Sequence, residues 1–165
     1  MIRPPGAHAE PVEEHDYSPA IYGSLLVTGI VAVQWRTDRT SDAIAFTVVV
    51  TVVVFWLSHV WAAIVNHRVH GPISAADARE IAIDEGSMLT SLVLPAAVLA
   101  IGPRVGMSLD SAVVLALVVS IAQLFLWGLV VGRVAHRGWL LPLVVALVDS
   151  LLGLLLVGLK VAVLH

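Results

Sequence analysis

A carboxyl group stands near the middle of an apolar run. Asp149 lies within Trp139 to Leu159, and for a turn on either side its neighbours are apolar or small residues and Ser150. In a hydrocarbon medium a charged carboxyl costs about 2.5–3.5 kcal/mol even on the lenient insertion scale, so such a residue faces a bundle interior or a polar cavity. Two chemistries suit it. As a proton or cation site, it stays neutral until an ion or a proton path reaches it. As a strut, it hydrogen-bonds a facing helix, with Ser150 and Gly153 easing the close approach. At about 100° per residue Asp149 shares a stripe with Pro142, Val145, Gly153, Leu156 and Lys160. Lys160 is about 16 Å further along the axis, at about 1.5 Å per residue, which rules out a direct pair within one helix.

Two other polar groups lie well inside apolar runs. His59, within Phe55-Trp-Leu-Ser-His-Val-Trp-Ala62, can relay protons, ligate a metal or hydrogen-bond a facing helix, and the last of these needs no further job. Gln123 falls three residues after Ser120 and four before Trp127, so the three share a helix face. With Ser24, Thr28, Thr51 and Ser58 it could line a polar seam. The same residue types also serve as interhelical hydrogen bonds worth about 0.6 kcal/mol each.

The one sizeable polar segment between apolar runs, Asn66 to Gly86, carries His67, His70, Asp77, Glu80, Asp84 and Glu85. Imidazoles and carboxylates suit borderline or hard divalent metals, and ligands three or four apart on a helix converge. A charged face on a surface helix is more often simply solvated, and Arg79 competes for the acids. A bis-histidine haem would need an axial partner opposite His59, and His67 and His70 lie at the end of the run, so no cofactor is expected. No Gly-x-Ser-x-Gly elbow, His-Glu-x-x-His helix or phosphate-cradling glycine loop is present. Only one aspartate is deep, so paired-aspartate proteolysis has no basis, and the chain is not expected to be an enzyme.

The elements that must position these groups follow from composition. Of 165 residues 59% are hydrophobic and 13% charged, against a charged share of about 25% in soluble domains. A crossing of a core about 30 Å thick takes about 20 helical residues, so the chain holds five or six spans and no separate catalytic domain. Five apolar runs are present, at 19–35, 43–65, 87–101, 111–131 and 139–164. They read as helices, because Val48 to Leu57 lacks the apolar–polar alternation of barrel strands. The third run is short and contains Pro95. It is either a kinked span extended at its start by the polar helix before it, or a segment that stops short of a full crossing.

Before the third run, Ser74 followed by Asp77 is a capping-box start. Asp77, Glu80 and Asp84 share one face of Ala75 to Glu85, and Ala78 and Ala82 share another, which predicts a short amphipathic helix at the membrane surface. Residues 1–18 hold Glu10, Glu13, Glu14 and Asp16 with three prolines. They lack the basic flank and apolar core of a secretory signal, and are read as a disordered polar tail preceding a transmembrane domain at 19–165. Net charge is -3 with scattered basic residues, which gives no nucleic-acid footprint. There is no cysteine, which removes disulfides and thiolate ligation. Eight of the nine basic residues are arginine, which fits GC-rich bacterial coding. With five spans, Arg3, Arg68, Arg79, Arg133 and Arg137 fall on one side and Arg36, Arg39, Arg104 and Lys160 on the other, which places the N-terminus in the cytoplasm. Gly128 and Gly132 form a small-xxx-small element for close contact within the bundle or with a second copy of the chain.

Tyr17-Ser-Pro-Ala-Ile-Tyr-Gly-Ser24, Phe55-Trp-Leu-Ser-His-Val60 and Gly158-Leu-Lys-Val-Ala162 together resemble stretches of uncharacterised small bacterial multi-pass integral membrane proteins. More distantly, five spans with an acidic helical insert after the second, and the rhythm of Phe125-Leu-Trp-Gly128 to Arg133, are similar to the vacuolar iron transporter family. That resemblance implies topology and an exchange of divalent metal for protons. The family's Asp-Gly pair has no counterpart around Gly23-Ser24 and the insert is short, so no metal-binding residues are carried over.

The expected architecture is thus an all-α polytopic bundle of about five spans in a bacterial inner membrane, associating with copies of itself. The leading functional expectation is a proton- or cation-handling transporter or channel, with Asp149 and His59 in the path. The alternative is a non-transporting scaffold or accessory subunit. Its polar residues would only hold helices together.

Overall fold

The structure, a computed structural model, describes residues 17–35, 39–135 and 138–163. The first sixteen residues, with most of the polar tail, lie outside the described residues, as do Arg36, Arg137 and the side chains of His70 and Lys160. Among the described residues six α-helices follow one another: α1 (Ser18–Gln34), α2 (Ser41–His70), α3 (Ala75–Asp84), α4 (Ser87–Ile101), α5 (Leu109–Ala135) and α6 (Leu140–Val163). A 3-10 turn, Gly102–Val105, continues α4, and there is no strand among the described residues. Four segments are long and apolar enough to cross a membrane: Ser41–Val69, Ser87–Val105, Leu109–Val134 and Leu140–Leu159. The fifth apolar helix, α1, is shorter at 17 residues.

α1 is the centre of the bundle and packs against α2, α4, α5 and α6. Its inward residues Ala20, Ser24, Val27, Thr28 and Val31 are fully buried. They meet Val48 and Val52 of α2, Met88 and Leu99 of α4, and Val113 and Ala116 of α5 in one apolar core. Small residues set the approach. A Cβ on Gly23 would lie 2.7 Å from the Met88 carbonyl oxygen, so α1 and α4 cross here nearly backbone to backbone, the usual use of glycine in membranes. At the other end of the bundle Ser41 donates to the Leu99 carbonyl. There also the Trp35 indole N–H donates to Asp110 at 3.4 Å and Arg104 pairs with Asp42 at 3.1 Å.

The boundaries differ from the sequence expectation at α2 and at the third run, and α5 also runs on to Ala135, past Val131. α2 runs to His70 instead of stopping at Val65. The end of the apolar run does not end the helix, which continues through polar residues, and α3 packs alongside α2. The Trp56 indole N–H donates to the Ala82 carbonyl at 3.2 Å and ties the two together. The short third run is lengthened at both ends. The 3-10 turn brings Ser87–Val105 to 19 residues, close to the length a crossing needs. At its start, Glu85 and Gly86 keep right-handed helical dihedrals. The bonds Met88 N–H to Glu85 and Leu89 N–H to Gly86, at 3.1 and 3.0 Å, carry α3 into α4 through a tightened turn. α3 has the expected capping box and no buried residue, and it lies as a surface helix beside α2.

Candidate functional site

The α5–α6 pair forms the most extensive helix contact of the bundle. Gly128 and Gly132 stand four residues apart on α5, and Ala146 and Pro142 stand four apart on α6; in antiparallel register they pair off. A Cβ on Gly128 would lie 2.6 Å from the Ala146 Cα, and one on Gly132 would collide with the Pro142 Cα. The small-xxx-small element therefore works inside the bundle, where it admits α6. Gly153 completes the seam, because its missing Cβ leaves room for Leu124, 2.7 Å from where that atom would be.

Asp149 is on this seam. Its Oδ2 would lie 2.5 Å from a Cβ on Gly128, so the space a side chain at that position would fill is taken by the carboxyl group. Oδ2 is buried and has no hydrogen-bond partner. Trp127, next to Gly128 in sequence, has its ring 6.2 Å from that of Tyr17 at the start of α1. The Asp149 carboxyl thus sits level with the first turns of the central helix. The stripe facing α5 is Pro142, Ala146, Asp149 and Gly153, of which all but Asp149 are buried. Leu156, placed on that stripe by periodicity, is exposed and lines a groove on α1 instead.

The other intramembrane polar groups behave differently. Ser24 donates to Ala20 at 2.9 Å, Thr28 to Ser24 at 2.8 Å, Ser120 to Ala116 at 2.8 Å and Ser150 to Ala146 at 2.9 Å. Each hydroxyl is satisfied by its own helix four residues back, the local bond serine and threonine make when buried in a helix. In the polar seam expected from the sequence, Ser24, Thr28 and Ser58 are thus satisfied by their own helices, while Thr51 lines a groove on α1. Gln123 is the exception: its Oε1 is buried and has no partner.

His59 and Asp149 are not brought together. The His59 Nδ1 pairs with the Phe55 carbonyl at 3.1 Å, and its ring lies 5.6 Å from Phe55 and 6.4 Å from Tyr22. It belongs to the α1–α2 side. α2 and α6 are not a packed pair, and between them runs an apolar groove of about 630 Å³ lined by Tyr22, Gly29, Thr51, Phe55 and Leu156 among others.

The polar segment forms a separate cleft of about 510 Å³ that gathers His67, Asp77, Glu80 and Asp84 at the junction of α2 and α3. Glu85 falls in the turn into α4 instead. Asp77 is engaged in the capping box: it accepts the Ser74 N–H at 2.8 Å, while its own N–H donates to the Ser74 hydroxyl at 3.2 Å. The Ser74 backbone bond, then the Ser74 hydroxyl, and to a smaller degree the charge of His67 hold the Asp77 carboxyl below its ordinary value. Among the described residues no three His, Asp or Glu side chains come together to hold a metal ion.

No protein-family model, curated protein or solved structure matches this chain. Sequence reasoning singled out Asp149 and the Gly128–Gly132 element separately and did not join them. The signal that joins them is the equal spacing of four between Gly128 and Gly132 and between Pro142 and Ala146.

Proposed function

We propose that the chain is a non-enzymatic, proton- or cation-handling membrane protein, a transporter or channel of a bacterial inner membrane with its N-terminus in the cytoplasm, in which Asp149 carries the transported charge. The observation that supports this reading is the buried, unpartnered Oδ2 of Asp149. A carboxyl retained as a strut would be expected to spend its oxygens on a facing helix, because leaving a buried polar atom unsatisfied costs about 1–3 kcal/mol. Here the helix contact is made by glycine, alanine and proline, and the carboxyl adds no bond to it.

His59 drops out of the path on this reading, since its Nδ1 bonds to its own helix and its ring packs with Phe55 and Tyr22. The scaffold alternative draws support from the close α5–α6 seam, which holds the bundle together whatever Asp149 does. Ion flux into vesicles reconstituted with the full chain separates the two. A flux present in the wild type and lost in Asp149→Asn is the expected result. Equal flux in the two proteins would leave the scaffold reading.

A further inference from the structure

We infer that the cargo of the Asp149 site is a proton and not a metal cation; this rests on the reading that Asp149 carries charge. The first ground is ligand supply. A calcium or magnesium ion needs about six oxygens at roughly 2.0–2.6 Å, and Oδ2 lies against the Gly128 backbone, in space that a single Cβ would occupy. The hydroxyls of Ser24, Thr28, Ser120 and Ser150 donate to carbonyls of their own helices and none of them bonds Oδ2. Among the described residues, the Gln123 Oε1 is the only other buried, unpartnered oxygen on the helices that pack against α6. One carboxyl and one amide do not make a cation shell, whereas a proton needs a single oxygen lone pair.

The second ground is charge. α6 packs against α5 and α1, and neither brings a titratable or charged partner to Asp149. On α5, Asp110 receives the Trp35 N–H at the far end, and the Arg133 guanidinium lies 4.1 Å from the Trp139 ring centre. On α1, the Tyr17 ring lies against Trp127, and the Tyr22 ring lies against His59. On α6 itself Lys160 is about 16 Å along the axis. With no counter-ion at hand among the described residues, protonation in place is what removes the cost of the charge. The step is a proton exchange without redox change: an Oδ2 lone pair takes a proton from a hydronium ion, one O–H bond forms and one breaks, and release to water reverses it. Gly128 is a positioning residue, because its missing Cβ is what lets the carboxyl lie there.

The test uses the full chain in lipid vesicles, with a trapped pH-sensitive dye and, in parallel, tracer uptake of sodium, potassium and manganese. The expected result is proton flux at least tenfold lower in Asp149→Asn than in wild type, and no Asp149-dependent uptake of any metal. Asp149-dependent metal uptake without proton flux would overturn the proton assignment and keep the charge-carrying site. No Asp149-dependent movement of anything would overturn both. Infrared difference spectra of the folded wild type give a second readout that needs no transport: a carboxylic C=O band should appear and vanish with pH and be missing in Asp149→Asn. Absence of any such titrating band in wild type would overturn the assignment.

Discussion

Asp77 at the start of α3 and Asp149 near the middle of α6 carry the same carboxyl group in opposite surroundings. Asp77 is fully exposed, yet it has two reciprocal bonds with Ser74 and a histidine nearby. Asp149 lies between two membrane-spanning helices, and its buried oxygen has no partner. In water a carboxylate needs no help, and the bonds of Asp77 serve the helix, whose first N–H groups would otherwise be unsatisfied. In lipid a carboxyl needs help and Asp149 has none. A residue that helps the fold is explained by the fold; a residue the fold leaves unsatisfied calls for another explanation, and the proton exchange proposed above is one.

That contrast can be broken at the seam that holds Asp149. Gly128→Ala places a methyl group against the Ala146 backbone and the Asp149 carboxyl, and Gly132→Ala places one against Pro142. Each should destabilise the bundle by about 1–3 kcal/mol, the range for overpacking, as measured by reversible unfolding in mixed micelles. Gly128→Ala should also lower proton flux. If either variant is as stable as wild type, α5 and α6 are not packed as described.

Ser74→Ala comes next and should cost about 1 kcal/mol through the lost cap. Amide exchange should be faster in α3, and proton flux should not change. Altered flux would tie the α3 cleft to the transport path. Gly29→Ala has the opposite sign. Gly29 is helical and a Cβ there would have nothing within 4 Å, so the substitution should stabilise by about 0.5–1 kcal/mol through helix propensity alone. A loss of stability would mean that the groove on α1 is occupied.

The smallest effect concerns acid. Asp77 has its folded value below the unfolded one, so its contribution to α3 is complete above the unfolded carboxyl value of about 3.9. It is lost as pH falls through the lower folded value. Protection of the Ala75–Asp84 amides against exchange, taken relative to the intrinsic rate at each pH, should fall only in that acid window. A fall in protection already near neutral pH would place the cause elsewhere.

How far the sequence could be read follows from which forces are local. The spans were legible because apolar length is a property of each segment alone, and the Ser74–Asp77 capping box because both partners lie within one turn. The end of α2 was not legible. Asn66–His70 looks like loop by composition, yet α2 continues through it with α3 packed alongside the helix. The surroundings of Asp149 were not legible either, since His59 and Gln123 were as plausible facing partners as Gly128. Which helix faces which is set by close approaches at Gly23, Gly128 and Gly132, where the informative atom is one that glycine lacks.

The decisive question is whether the Asp149 carboxyl holds α5 to α6. Reversible unfolding of Asp149→Leu beside wild type, under conditions where both are folded, answers it most directly. An unpartnered carboxyl replaced by an apolar side chain of the same branched shape should leave stability unchanged or raise it. A loss of about 2 kcal/mol or more would show that the carboxyl is a structural bond after all, and would contradict its assignment as a proton site.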